Sequence, residues 1–334
     1  MKVAFLLERL SLRGVEGVAW SYARYNQTLL GNESVIVLRR PANDFQHDVT
    51  AEAHDMFHAA FEVHVAASDD DIDPLLERLG VDVCYVPVHG GFDPGHVPRR
   101  VPTLAHCVFR TDARLGTVRA AVSNWVSRGL TRVLPNVLDL PGSDGTDLRA
   151  ELGIPADAFV FGRHGGYDSF DVPWVPPVVL AVAAEKPDVY FVFMHTASFV
   201  EPDECPPNVL FVPGTADKAR KRRFIDTCDA MLHARQIGET FGCACGEFAL
   251  AGRPVVTFPG MDQEHVRLLD RLAVTYTSPE QLDAVLRDTD GLRVLRGLRC
   301  DYLRYTPDNV MPVFRRAIVE TVGVKHGAAL PFAY

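Results

Sequence analysis

Two carboxylates, Glu239 and Glu247, stand eight residues apart in GETFGCACGEFALAGRPVVTF, residues 238 to 258. A carboxylate can accept two hydrogen bonds at once, which suits the vicinal hydroxyls of a sugar or a ribose. AMLHAR (230–235) reads as a strand, QIGETFG as a loop, and CACGEFALAG as a helix that Gly252 stops. With the helix starting near Cys243, Glu239 falls in the loop and Glu247 about one turn in, at roughly 1.5 Å of rise per residue. The pair can then grip different parts of one extended ligand. The alternative is that Glu239 merely caps the helix and Glu247 is a solvated helix residue.

Positioning such residues needs a scaffold, and the chain alternates short β-branched runs with helix-length segments. KVAFLL (2–7), SVIVL (34–38), FEVHVAA (61–67), VDVCYVPV (81–88), VPTLAHCVF (101–109) and RAAVSNW (119–125) read as strands of a parallel sheet. LPNVLDLPGSDGTD (134–147) is rich in Pro, Gly and Asp, lacks periodicity, and marks a domain boundary. The second half repeats the pattern at FVFGR (159–163), VYFVFMH (189–195), NVLFVPG (208–214), AMLHAR, RPVVTF (253–258) and LAVTYTS (272–278). DNVMPVFRRAIVETV (308–322) reads as a helix closing the second domain. The expected class is α/β, with two Rossmann-like, doubly wound parallel-sheet domains over 1–141 and 142–325 and a tail at 326–334.

Composition excludes several functions. The chain of 334 residues is 47% hydrophobic, and its formal charge of −9 opposes a surface built to neutralise many phosphates, so no nucleic-acid partner is expected. Seven cysteines with no CxxC pair point to a reducing compartment. The start MKVAFLLERL is too short in apolar residues for a signal-peptide core, and no later run approaches a membrane span. A cytoplasmic protein is expected. KARKRR (218–223) reads as a solvated helix face or as a contact for phosphate or, at most peripherally, an anionic membrane. His54, His58 and His64 have no metal-binding spacing and HExxH is absent, so no metal and no tightly bound cofactor is expected. There is no GxSxG elbow and no Walker sequence, which disfavours hydrolases and P-loop ATPases.

Open α/β sheets bind ligands beyond the carboxyl ends of their strands, where the first turn of the next helix presents free amides to an anion. One such turn is the 238–247 stretch. The other is LLERLSLRGVEGVAW, where Gly14 and Gly17 open a helix, either to let backbone approach a ligand or simply as a tight helix start. It lacks the full GxGxxG of dinucleotide binders, and the next strand ends in Arg39 and Arg40 instead of an acidic residue, which argues against NAD.

The run E, F, G, then E, then small residues and GRPVV resembles the donor-site signature of family 4-like retaining glycosyltransferases (glycosyl transferases group 1) of the GT-B fold. ELGIPADAFVFGRHGGYDSFD is similar to that family's first nucleotide-domain strand with its Gly-Arg ending, and VLPNVLDL resembles its interdomain linker. The resemblance implies a GT-B architecture, with an amino-terminal acceptor domain and a carboxyl-terminal donor domain facing across a cleft. It implies transfer of a hexose or related sugar from a nucleotide-diphosphate sugar to a glycan, lipid-linked or small-molecule acceptor, with anomeric configuration retained. Glu239, with Thr240 and Phe241 beside it, would contact the transferred sugar and Glu247 the ribose, with the amides of Gly242 and Cys243 on sugar or diphosphate. Gly14 and Gly17 would border the donor, Arg163 would face the diphosphate, and His106, at the end of TLAHCV, would approach the donor sugar. His106 reads equally as a hydrogen-bonded structural residue, and His233 as a packing residue.

The sequence departs from the family at one point. No lysine or arginine occurs between Arg163 and Lys186, where the family carries a lysine. A charge-assisted hydrogen bond contributes about 1.5 to 3 kcal/mol against about 0.3 to 1 for a helix terminus, so another group is needed. Candidates are a member of KARKRR, His164, or the amides of Gly165 and Gly166. A sugar-nucleotide epimerase of the same architecture, and a catalytically silent sugar-nucleotide-binding subunit, are the alternative readings.

Overall fold

Residues 1–39, 51–89, 97–111 and 113–325 are described by a computed structural model, which divides into two units. In the first, seven parallel strands form one sheet: β1 (Lys2–Leu7), β2 (Glu33–Arg39), β3 (Glu62–Ala66), β4 (Val83–Val88), β5 (Thr103–Cys107), β6 (Val118–Ala121) and β7 (Arg132–Val133). Their order is 3-2-1-4-5-6-7, so the winding reverses between β1 and β4. The central strands β1, β4 and β5 are buried along nearly their whole length, as in a parallel sheet covered on both faces, whereas the edge strands β3 and β7 are partly exposed. Helices α1 (Gly14–Thr28), α2 (Ala51–Ala60), α3 (Ile72–Arg78) and α4 (Asn124–Ser127) connect them.

The second unit, Leu138–Leu303, holds β8 (Phe159–Arg163), β9 (Val189–Met194), β10 (Val209–Val212), β11 (Ala230–His233), β12 (Gly238–Glu239), β13 (Val255–Thr257), β14 (Asp262–Gln263) and β15 (Ala273–Thr275). Six of these form a parallel sheet in the order 10-9-8-11-13-15, and β12 pairs with β14 beside it. The winding reverses between β8 and β11, and that position is where such a sheet leaves a crevice beyond its strand ends. Helices α5 (Arg149–Leu152), α6 (Val175–Glu185), α7 (Lys218–Thr227), α8 (Cys243–Leu250), α9 (Glu264–Leu269), α10 (Pro279–Arg287) and α11 (Thr289–Val294) complete the unit. Stacked Phe161 and Phe191 rings, 5.3 Å apart, lie in a core that includes Val175, Val179 and Val182 of α6.

Three expectations need correction. RAAVSNW is a strand only to Ala121; Ser123 then accepts from the amide of Val126 and starts α4, a side-chain cap that overrides the β-branched run. The last helix, α12 (Pro307–Lys325), does not close the second domain: everything from Arg304 through it belongs to the first unit. The reason is aromatic packing. Phe314 is fully buried, its ring 4.7 Å from Tyr22 of α1 and 5.9 Å from Tyr85 of β4, both core residues of the first unit. Finally, the break falls between Val137 and Leu138, not after 141. Arg39 forms a two-pronged pair with Asp69, and Arg40 and the tail at 326–334 lie outside the described residues.

Candidate functional site

The carboxyl ends of β8 and β11, neighbours at the winding reversal, bring Arg163, His164, His233 and Arg235 to one edge of the second sheet. The chain leaves β11, turns at Gly238 and enters α8 at Gly242. Gly238 has φ +72°, and a Cβ there would fall 2.2 Å from the carbonyl oxygen of Asp262, so only glycine fits. Gly242, at φ +78°, is the N-cap of α8 and supplies no side-chain cap. The first turn of α8 therefore presents main-chain N–H groups with no capping side chain, at the electropositive end of the helix.

Both carboxylates of the opening motif stand at this turn, and both are held by cations. Oε1 of Glu239 accepts from Arg235 at 2.8 Å and lies 3.5 Å from Nε2 of His233. Burial pushes its carboxyl up, but the Arg235 charge and the His233 contact outweigh it and hold the group down to about 2. Glu247, in α8, has Nζ of Lys221 2.5 Å from Oε1 and Nε2 of His164 3.0 Å from Oε2. The balance is the same: burial raises, while the Lys221 charge and His164 lower the carboxyl, to about 2. Two ionised, partly desolvated acceptors thus flank an uncapped helix start, an arrangement suited to hydroxyl groups on either side of an anionic linkage. Glu239 is not the helix cap, and Glu247 is not solvated.

Thr240 and Phe241 are buried between them, and the Phe241 ring packs edge-on against Tyr302, whose hydroxyl donates to the Phe241 carbonyl. Phe241 thus positions the turn through its backbone and core packing. Of KARKRR, Lys221 alone meets Glu247; Lys218 pairs with Asp139, Arg220 with Glu151, Arg222 with Asp226 and Arg223 with Asp144. The segment is neither a free basic patch nor a merely solvated face.

Two expected roles are corrected. Arg163 is buried, and both terminal nitrogens of its guanidinium are spent on protein: one donates to the His195 carbonyl and Thr196 Oγ1, the other to the Gly166 carbonyl and Ser169 Oγ, at 2.5 to 3.2 Å. Burial pulls its pKa down to about 10, against the opposing charge of Glu239, so it stays a cation. Its contacts make it the clamp of the 164–169 loop, not a group aimed at a diphosphate. His106, in the first unit, is buried with both ring nitrogens engaged: the Tyr85 hydroxyl meets Nδ1 and Nε2 donates to the Leu134 carbonyl, each at 2.7 Å. Burial lowers its pKa to about 4, and no ring nitrogen is left for a substrate.

Gly14 begins α1 and Gly17 lies one turn in, and a Cβ at either would meet no atom of the described residues within 4 Å. Sequence reasoning missed Arg235 and the relay behind Glu239, and it assigned His233 to packing. Thr257 Oγ1 lies 2.8 Å from Nδ1 of His233 and 3.0 Å from Nε2 of His265, a ring that burial and His233 hold down to about 3. The available signal was positional: His233 and Thr257 end adjacent strands in direct register. Among the described residues no cluster of His, Cys, Asp or Glu could hold a metal ion, and no helix is long and apolar enough to cross a membrane.

No family model and no curated protein matches the chain. Solved structures do. Anabaena Alr3699/HepE in complex with UDP-glucose superposes with a TM-score of 0.67 at 17% identity, over 97% of this chain and 100% of that one. AviGT4, a glycosyltransferase involved in avilamycin A biosynthesis, gives 0.56 at 16% over 98% and 99%. A Listeria monocytogenes protein assigned as a UDP-N-acetylglucosamine 2-epimerase gives 0.63 at 11% over 100% and 99%. At these identities the likeness is one of fold, and that fold is the GT-B architecture, α/β with two Rossmann-like parallel-sheet domains.

Proposed function

We propose that the chain is a glycosyltransferase that takes a sugar from a nucleotide-diphosphate sugar and passes it to an acceptor hydroxyl with retention of configuration. The observation that carries this reading is the pair of ionised carboxylates, Glu239 and Glu247, at the uncapped start of α8. Glu239 accepts from hydroxyls of the transferred sugar and Glu247 from those of the ribose. The amides of Gly242 and Cys243, with Lys221, meet the negative charge that grows on the diphosphate as the bond from the anomeric carbon to the phosphate oxygen breaks. The acceptor oxygen forms the new bond on the same face, and its proton leaves with the diphosphate. Lys221 thereby takes the part of the lysine missing after Arg163, from α7. Gly14 and Gly17 leave room for the donor at the first unit. No metal and no cofactor besides the donor is assigned a part, and the cytoplasm is the proposed compartment.

UDP-sugars are the first donors to try, because HepE is solved with UDP-glucose. A calorimetric titration with UDP-, GDP-, ADP- and dTDP-glucose tests the reading: one must bind, and Glu247→Gln must weaken it about tenfold or more while still unfolding in one cooperative transition, at a temperature lowered by the loss of the Lys221 pair. Equal affinity in that variant removes the assignment. The likeness to an epimerase fold supports a second reading, isomerisation of the donor sugar, which incubation of the donor without any acceptor distinguishes.

A further inference from the structure

The first unit carries a polar cavity of about 510 Å³, floored by Cys107 and Ala121 at the ends of β5 and β6, and lined by three arginines, Arg110, Arg119 and Arg128. Its walls are Arg110, Thr111 and Ala113, from the connection between β5 and β6, and the turn that follows α4. Among the described residues no carboxylate lines it, and none forms an ion pair with any of the three arginines. In a chain with nine more acidic than basic charges, this is unusual company: Arg149, Arg222, Arg235 and Arg287 each meet an aspartate or glutamate. Uncompensated guanidinium groups around a concavity favour an anion, and their planar fork matches carboxylate and phosphate oxygens.

The arginines are also held in place. Arg110 lies over the Trp125 ring, 5.0 Å from its centroid, and its Nε donates to the Trp125 carbonyl, while among the described residues neither terminal amino group has a hydrogen-bond partner. Arg119 uses one terminal nitrogen to tie the Thr111 and Ala113 carbonyls, fixing the wall, and its other terminal nitrogen has no hydrogen-bond partner among the described residues. Arg128 is the C-cap of α4 in the left-handed region at φ 49°, a fixed backbone geometry for a side chain with no partner among the described residues. Thr111, Ser127 and Thr131 also line the cavity; the Ser127 hydroxyl is spent on the Thr131 backbone, whereas the Thr111 hydroxyl accepts from the Ala113 amide and keeps its proton to donate, and a hydroxyl beside guanidinium groups suits a polyol that carries an oxyanion.

We propose that this cavity binds the acceptor, and that the acceptor is an anionic sugar, one bearing a phosphate or a carboxylate. The statement rests on the glycosyltransferase reading for the word acceptor, and on the cavity alone for the chemistry of the ligand.

The test is calorimetric titration of the full chain with glucose 6-phosphate, glucuronate, glucose and inorganic phosphate, and separately with UDP-glucose. Glucose 6-phosphate or glucuronate should bind at least tenfold more tightly than glucose and than inorganic phosphate, with affinity falling as salt rises. Comparing the two sugars distinguishes phosphate from carboxylate as the preferred group. Arg110→Gln with Arg128→Gln, both at exposed positions, should weaken the anionic sugar tenfold or more and leave the UDP-glucose affinity unchanged. Anionic sugars that bind no better than glucose, or as well to the double variant as to the wild type, overturn the proposal. So does inorganic phosphate binding as tightly as the sugar phosphate, which reduces the cavity to an anion hole. Failure of UDP-glucose to bind while the anionic sugar still does removes the donor reading and leaves the cavity's ligand standing.

Discussion

Lys221 on α7 and Glu247 on α8 meet with Nζ 2.5 Å from Oε1, and His164 at the end of β8 closes on the other carboxylate oxygen at 3.0 Å. Three elements thus converge on one acid. Removing the lysine strands a carboxylate with only a histidine, itself depressed by burial, to hold it. Breaking a buried pair by deleting one partner costs about 3 to 5 kcal/mol; with His164 still present, about 2 to 3 is expected for Lys221→Met. Lys221→Arg should recover part of it, and Lys221→Met combined with Glu247→Gln should recover more, because no unpaired charge remains. Urea unfolding measures all three. If the single and double variants are equally stable, the pair is not coupled.

Arg163 behaves differently under the two roles open to a buried guanidinium. A group that only meets the diphosphate would leave the ligand-free protein as stable as before when replaced. The four bonds to the His195, Thr196, Gly166 and Ser169 oxygens predict otherwise. Arg163→Lys keeps the charge but loses the planar fork, so at least two of these bonds go, each contributing about 1.5 to 3 kcal/mol. The ligand-free variant should unfold about 2 kcal/mol or more earlier, with faster hydrogen exchange at residues 164–169. Unchanged stability with weakened donor binding would restore the direct role.

What the sequence made legible follows the reach of its signals. Strands such as Phe159–Arg163 stand out because a parallel sheet buries both faces and leaves a continuous apolar run, and the α8 start stands out because Gly242 and Gly252 punctuate it. The two carboxylates were legible as a pair because they flank that start. Their partners were not. Lys221 reaches Glu247 from 26 residues away and His233 reaches Thr257 from 24, separations with no local period to announce them. Arg163 misled for a related reason: its position at a strand end is visible in sequence, whereas the carbonyls that consume its donors appear only when the 164–169 loop and the turn after β9 are folded against it. The helical period of α12 was plain, but period alone does not say which sheet receives Phe314.

That assignment is itself testable. Phe314 packs on Tyr22, Tyr85 and Phe5 of the first unit, and Phe→Ala at such a site costs about 3 to 5 kcal/mol. In full-length Phe314→Ala, amides of β1 and β4 should lose hydrogen-exchange protection while those of β8 and β11 keep theirs. Loss confined to β8 and β11 would return the helix to the second unit.

Acid should unfold the protein in two windows. His106 and His265 are held neutral by burial at about 4 and about 3, below the ordinary 6.5, so between those values the unfolded chain binds protons that the folded one refuses. Their contribution to stability is complete above pH 6.5 and falls as pH drops through the window, by up to about 1.4 kcal/mol per pH unit per group. Glu239 and Glu247 are depressed from 4.5 to about 2, so their contribution is complete above pH 4.5 and is lost from there down to about 2. The urea midpoint should therefore decline below pH 6.5, as the two imidazoles come into play, and more steeply once the two carboxylates join them below 4.5. His106→Gln should flatten the upper window and leave the lower one as it is. Glu247→Gln should flatten the lower window, since its carboxyl is already ionised, in the folded and unfolded chain alike, above pH 4.5, and it also takes the supporting charge from His164, so the upper window does not become flatter in that variant. A wild-type midpoint that stays constant from pH 6.5 to 4.5 would mean that the two imidazoles take up protons in place, and that the bonds from Tyr85 and Thr257 do not hold them neutral.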